Sequence, residues 1–319
     1  MAKKEAALKP KQRGRFAAAF FQTLKCWQLI VMVLPAVIII VLFNYVPMYG
    51  VTMAFQNYSP SLGFSGSPWV GFQQFERFFN SFNAFTTIRN TVLLSLYSLL
   101  WSFPVPVLLA LMLNQVERPR IKATIQTVTY LPYFISTVVL VAMLQLFLSP
   151  ERGLYGALMD MMGVQNPVDP NTSPQLFRTV YVASNIWQTT GFSSIVYLAT
   201  LSGVDPSLYE AAMIDGATKL QRIRYIDFPS LLPTATIMFI MAVGSLMNVG
   251  FEKTYLMQNT VNVSVSEVLS TYVYKIGLEN AQYSFSTAIN LFNTVINIIL
   301  LTVTNWVCKK MSGKIGRAH

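Results

Sequence analysis

Six apolar stretches of roughly 20 residues divide the chain, at about 26–46, 90–113, 125–148, 179–202, 232–251 and 285–308. Wound as an α-helix, each is long enough to cross the ~30 Å hydrocarbon core of a bilayer. In lipid only helices and closed barrels satisfy every backbone group, so the pattern predicts an all-α membrane protein with six transmembrane helices. The low charge agrees: 11% of residues are charged and 53% hydrophobic, where soluble domains carry about 25% charged residues. Pro104, Pro106 and Pro132 fall in or near span starts, which membrane helices tolerate when neighbours satisfy the freed carbonyls.

The net charge of +10 does not point to nucleic acid, because the bases sit at the ends of apolar segments and no basic-aromatic module occurs. They set orientation instead. With the N-terminus inside, the inner segments hold 17 Lys and Arg and the outer segments 6, which predicts both termini in the cytoplasm. The first run follows a basic stretch from Lys3 to Lys25. It is long, and "NYVPMYG" after it offers no small-residue cleavage site, so it is expected as an uncleaved span, not a signal peptide. Residues 1–25 then form a basic cytoplasmic segment, 26–308 a multi-pass membrane domain and 309–319 a cytoplasmic tail. The outer segments 47–88 and 149–178 are expected to be ordered lids with short helices. Cys26 and Cys308 give neither metal spacing nor a disulfide framework. The single histidine, His319, excludes histidine chemistry within the fold.

"EAAMIDGATKLQRIRYIDFP", Glu210 to Pro229, places three bases (Lys219, Arg222, Arg224) and three acids (Glu210, Asp215, Asp227) between two apolar spans. Asp205 and Pro206 suit a helix start, and Gly216 suits a bend. A second short helix is expected over "ATKLQRIRYI", ended by Pro229 and Pro233. Two short helices with a bend, on the inner surface, fit either an interfacial connector or a docking element whose small Ala211 and Ala212 admit close approach.

The same residues resemble a family signature. Glu210-Ala211-Ala212, Gly216 six residues after the Glu, then Ile226 and Pro229 match the Glu-Ala-Ala, Gly, Ile-x-Leu-Pro pattern of permease subunits of bacterial ATP-binding-cassette importers, with Phe228 in place of the usual Leu. "EAAMIDGA" is most similar to the carbohydrate, maltose-type branch. "LPAVIIIVLFNYVPMYGVTMAFQNY", "WVGFQQFERFF", "RNTVLLSLYSLL" and "YLPYFISTVVL" resemble polysaccharide permeases that work with lipoprotein receptors. The resemblance implies a type I importer permease fold in the bacterial cytoplasmic membrane. It makes 203–231 the coupling loop seated in an ATPase cleft, with Glu210, Ala211, Ala212, Asp215, Gly216, Lys219, Ile226 and Pro229 as the coupling residues. It implies a second homologous permease subunit, two cytoplasmic ATPase subunits, an extracellular solute-binding lipoprotein and an oligosaccharide substrate. No G-x-x-x-x-G-K-[ST] loop is present, and "SGKIG" lacks its spacing and hydroxyl. The chain is therefore expected to hold no cofactor and to catalyse no reaction itself, ATP and Mg being bound by the partner ATPase.

Polar side chains within spans face protein or water. Tyr133 and Thr137 are expected on one face of the third helix. Asn185, Thr189, Phe192 and Ser193 share a face of the fourth with Gln188 beside it, and Asn290, Asn293 and Asn297 fall at i, i+3, i+7 in the sixth. Amides, hydroxyls and aromatic faces are the chemistry that holds sugars; the alternative is interhelical hydrogen bonding. The resemblance adds weight to Tyr133, Thr137 and Asn185, the last two residues before Trp187, which match sugar-contacting positions. The third such cluster maps poorly, with Ser245 and Asn248 as nearby substitutes and Glu252 at the outer end of its span. Rival readings are a secondary transporter or channel that needs no ATPase, and a non-transporting scaffold. An ion-coupled transporter calls for buried titratable groups, and Glu252 is the candidate.

Overall fold

The structure, a computed structural model, describes residues 27–315, and the basic segment 1–25, Cys26 and His319 lie outside them. Among the described residues no strand forms; Gln56 and Trp69 make one isolated antiparallel bridge. The chain divides into two units, Met1–Thr52 and Met53–His319. In the first, α1 (Trp27–Ile40) continues through a π turn, Val41–Tyr45, into a 3-10 turn, Tyr49–Phe55, that crosses into the second unit.

The second unit opens with α2 (Gln73–Phe79), then α3 (Phe82–Ser102) and α4 (Pro104–Asn114). Pro104 stands at the first position of α4, where its missing N–H is not needed. Together α3 and α4 make a 33-residue apolar element, Phe82–Asn114, about 50 Å long and so longer than a hydrocarbon core. Next come α5 (Pro119–Tyr130), α6 (Thr137–Phe147), α7 (Leu154–Met161) and the 29-residue α8 (Pro174–Ser202). After the bent loop follow α11 (Phe228–Gly244), α12 (Phe251–Met257), α13 (Leu269–Tyr274) and α14 (Tyr283–Ile315), α9 and α10 being the loop's own helices.

Among the described residues four helical elements are long and apolar enough to cross a membrane: Ile30–Phe55, Phe82–Asn114, Lys219–Gly244 and Tyr283–Lys310. A fifth candidate is the pair Pro119–Phe134 and Thr137–Phe147, bent by 98°. The remaining expected span, 179–202, coincides with α8, which carries Asn185, Gln188, Thr189 and Ser193 on one side. The short helices in 47–88 and 149–178 are present.

Three apolar clusters hold the second unit together. Leu111 of α4, Leu201 of α8 and Leu231 of α11 meet at one end. Leu94, Phe177 and Val268 meet around Tyr181, and Phe78, Leu269, Phe285 and Ile289 pack α2, α13 and α14. Gly191 lets α8 cross α5, since a Cβ there would overlap the Thr129 carbonyl. The buried Asn90 is paired: it donates to the Ser264 and Glu267 carbonyls at 2.9 and 3.2 Å and accepts from Arg178 at 3.1 Å.

Three expectations need correction. Tyr133 and Thr137 do not share a helical face. The chain leaves α5 through a 3-10 turn, Leu131–Phe134, Ile135 is extended, and Ser136 caps a new helix by accepting from Val139 N. Pro229 and Pro233 do not end the second loop helix either. A π turn over Ile223–Asp227 already shifts the hydrogen-bond register, with Phe228 N donating to Ile223 O, so the helix continues into α11 with Pro229 at its start and Pro233 inside. The fifth span stops at Gly244, not 251, which leaves Asn248 off the helix and puts Glu252 on α12.

Candidate functional site: a bent loop and two amide-lined cavities

Each turn of the loop has a local cause. Asp205 starts α9 (Pro206–Ile214) by accepting from Ser207 N at 2.9 Å. That hydrogen bond holds its carboxyl below the usual range. At the other end Gly216 N donates to Met213 O, Ala217 N donates to Ala212 O at 2.8 Å, and Gly216 has φ +74°. This crossed pair of bonds with a left-handed residue is the Schellman ending, and glycine is the residue that adopts it without strain. Thr218 then opens α10 (Lys219–Arg222) in a capping box with Gln221.

The loop's outer face is apolar as well as charged. Ile214 is 87% exposed and Leu220 74%, beside exposed Met213, Tyr225, Glu210, Asp215 and Ala211. Ala212 and Ile226 are half-buried, Pro229 exposed, and α9 buries none of its residues. Lys219 is occupied within the chain: its Nζ lies 2.9 Å from Glu117, whose carboxyl it holds down through that hydrogen bond and its charge.

Behind this face lies Asp227, which the sequence reading counted among the loop's acids and gave no role. Asp227 is completely buried, and its carboxylate accepts from Tyr209, Asn114 and Gln115. Burial, reinforced by Asp227, pushes the Tyr209 hydroxyl up to about 12. The available signal was an acid between Ile226 and Phe228 at the head of a span, where a carboxylate needs buried partners.

Away from the loop, the break Ser245–Gly250 separates two cavities. One, about 550 Å³, is lined by Phe251, Ser270, Tyr274, Ser286, Asn290 and Asn293; the other, about 380 Å³, by Ser95, Ser98, Ser102, Asn185, Ser193 and Ser245. Asn248, Val249 and Gly250 line both. The break is held by amides: Asn248 Oδ1 accepts from Asn293 and Asn297 at 3.1 Å each, and Asn297 Oδ1 accepts from Met247 N at 3.0 Å. Asn293 and Asn297 therefore fasten the broken strand to α14, while Asn248 and Asn290 present polar surface to the cavities.

The other expected path residues lie elsewhere. Tyr133 stacks on Phe192, centroids 3.9 Å apart. Thr137 begins α6, and Gln188 donates to the Ile135 carbonyl at 2.8 Å, satisfying the bend. Thr189 bonds back to Asn185 O, and Glu252 is exposed. The buried titratable group on α12 is its neighbour Lys253, 5% exposed, which donates to Tyr181 O at 3.1 Å and sits over the Tyr181 ring. Burial brings this ammonium down to about 7.

Comparison with known proteins agrees with this geometry. Residues 78–313 match the family model described as "Binding-protein-dependent transport system inner membrane component". Protein LplB of Bacillus subtilis is 40% identical over 283 residues, covering 88% of each chain. The polygalacturonan/rhamnogalacturonan transport system permease protein YteP of the same organism is 39% identical over 282 residues, again 88% of each. A chain of a crystallised bacterial ABC transporter involved in the import of the acidic polysaccharide alginate superposes with TM-score 0.85 at 37% identity, covering 92% of this chain and 99% of that one. The bacterial alginate ABC transporter in complex with an alginate pentasaccharide-bound periplasmic protein gives TM-score 0.84 at the same identity. A helical bundle with a matched signature, one outward-facing bent loop and relatives covered nearly end to end leaves one assignment: the chain belongs to the family of binding-protein-dependent transport system inner membrane components, as a permease with the type I fold.

Proposed function

We propose that this permease is one of two homologous membrane subunits of an ATP-driven importer of oligosaccharides that works by alternating access. The observation that carries the reading is α9, a helix that buries none of its residues and presents Ile214, Glu210 and Asp215 outward beside a fixed bend at Gly216. A surface of that kind, exposed apolar side chains rimmed by charge, is built for a protein partner. The partner is a cytoplasmic ATPase, one for each permease subunit, holding the ATP and Mg. Glu210, Ala211, Ala212, Asp215, Gly216, Ile226 and Pro229 shape the docked element, with Lys219 tied to Glu117 alongside it.

In this reading the chain crosses the membrane six times, α5 with α6 and α8 supplying the third and fourth crossings, and both termini are cytoplasmic. The solute path runs past Asn185, Ser193 and Ser245 to the break at Asn248, with Asn290 and Asn293 beyond it. Amides and hydroxyls there exchange hydrogen bonds with sugar hydroxyls. The relatives named for polygalacturonan/rhamnogalacturonan and for alginate favour acidic oligosaccharides, and an extracellular lipoprotein receptor delivers them. Against an ion-coupled carrier stands the placement of the buried titratable groups. Asp227 is enclosed by donors at the loop, and Lys253 is covered by Tyr181.

The test is purification from the native membrane followed by ATP hydrolysis in proteoliposomes. The expected result is co-purification of an ATPase and a homologous permease, and loss of receptor-stimulated hydrolysis in Glu210→Lys. A complex without an ATPase, or transport that proceeds without nucleotide, defeats the reading.

A further inference from the structure

The carboxylate of Asp227 joins three elements, α9, the end of α4 and the head of α11. Its Oδ1 accepts from the Tyr209 hydroxyl and from Asn114 Nδ2 at 3.1 Å, and its Oδ2 accepts from Gln115 Nε2 at 2.6 Å. Asn114 Nδ2 also reaches the Tyr209 oxygen at 3.3 Å. Tyr209 belongs to α9, Asn114 and Gln115 to the end of α4, and Asp227 to the π turn that leads into α11. Apolar packing cannot do this work for α9, which buries no residue. The Glu117–Lys219 pair bridges the same gap at the surface, but it is exposed, and exposed pairs hold little.

Burying a carboxylate is expensive, and an apolar side chain of similar size would fill the space at lower cost. What the carboxylate adds is direction. Its two oxygens fix the angle at which α9 and the end of α4 meet the head of α11, because a shift of either breaks a short hydrogen bond in a site that water does not enter. The high Tyr209 pKa keeps that donor protonated.

We infer that Asp227 is a positioning residue: it locks α9, the end of α4 and the head of α11 into one rigid body, so that a push on the bent loop moves the second and fifth spans together. Without the lock, a push on α9 turns that helix about its ends and does not reach the spans. This inference rests on the importer reading above. It adds that coupling depends on a buried residue inside the permease as well as on the exposed docking face.

The test uses the intact complex in proteoliposomes, with Cys26 and Cys308 replaced by Ser and spin labels at exposed Ser207 on α9 and Met112 on α4. The parent complex should give one narrow distance distribution, unchanged between the nucleotide-free and ATP–vanadate states. Asp227→Ala should broaden it by roughly twofold, as a local opening does, and should lower receptor-stimulated ATP hydrolysis by roughly tenfold, within the range of coupling factors between sites. Tyr209→Phe, which removes the donor on α9 alone, should broaden the distribution too, and it decides the matter if Asp227→Ala does not assemble. Asp227→Asn should stay narrow, because its carbonyl still accepts from Tyr209 and the Gln115 amide can turn to meet the new donor. Distributions as narrow as the parent's in both Asp227→Ala and Tyr209→Phe overturn the lock. A complex with no ATPase sinks the importer reading instead, while the nucleotide-free widths still report on the lock.

Discussion

At the bent loop, Glu210, Met213, Ile214, Asp215 and Leu220 turn outward, apolar and charged together, and no residue of α9 is fully buried. At the break between α11 and α12 the opposite holds: Asn293 and Asn297 both donate to Asn248, and Asn297 also accepts from the backbone N–H of Met247. Both segments interrupt the apolar spans, and both carry polar residues that lipid would exclude. The loop leaves its surface open. The break closes its hydrogen bonds internally and offers only the remaining polar atoms to the cavities. The difference separates polar groups that stay open to a partner or solute from polar groups that hold the fold in place.

The largest expected effect tests the open side of that contrast. Ile214→Asp combined with Leu220→Asp should weaken capture of the ATPase by about 2 kcal/mol or more, the loss typical of interface anchors. Because both residues are exposed, the melting temperature of the isolated permease should stay put. A pull-down titration paired with a thermal scan checks this, and equal loss in both would erase the distinction between the two regions. On the closed side, Asn248→Leu leaves the Nδ2 groups of Asn293 and Asn297 without their acceptor. It should destabilise the permease by about 1–3 kcal/mol for each orphaned group, seen as a lower melting temperature with ATPase capture intact.

A smaller effect concerns Lys253. Its folded pKa, about 7, lies below the ordinary lysine value of 10.5, so between these limits the unfolded chain holds a proton that the folded one lacks. Stability therefore rises as pH increases from about 7 to 10.5, and the full penalty is felt below 7. Lys253→Met should raise the melting temperature more at pH 6 than at pH 9; a gain independent of pH would show that the ammonium is not the cause. The smallest effect is expected at the Glu117–Lys219 pair, where either alanine substitution should leave the melting temperature unchanged within error, as exposed ion pairs do. A clear drop would mean that the loop's surface is held from outside and not by Asp227.

Legibility in the sequence followed the range of the forces involved. The Schellman ending at Gly216 and the Asp205 cap each involve residues within six positions, so they were readable as a bend between two helices, while the Thr218 capping box emerged only in the structure. The continuation of the second loop helix through Pro229 was not readable, because a π turn and not the local propensity decides it. The kink between Tyr133 and Thr137 was likewise hidden: Pro132 hinted at it, but the Gln188 side chain that satisfies Ile135 comes from 53 residues away. For the polar rows, the spacing of Asn290, Asn293 and Asn297 showed a common face. It could not tell which of them closes on Asn248 and which stays open to a cavity.

The amino-acid sequence alone determined that this is a helical membrane protein of the importer permease family, where most of its apolar elements run and where the loop between them bends. Those features rest on composition, on hydrophobic run length and on hydrogen bonds a few residues apart, all of which are written in linear order. The tertiary structure decided which polar groups are spent and which are free. It buried Asp227 among donors from two other helices, turned Lys253 inward and Glu252 outward, and placed Asn248 between two cavities. Such outcomes depend on what each side chain meets across the bundle, and in a medium without water that meeting sets the energy of every polar group.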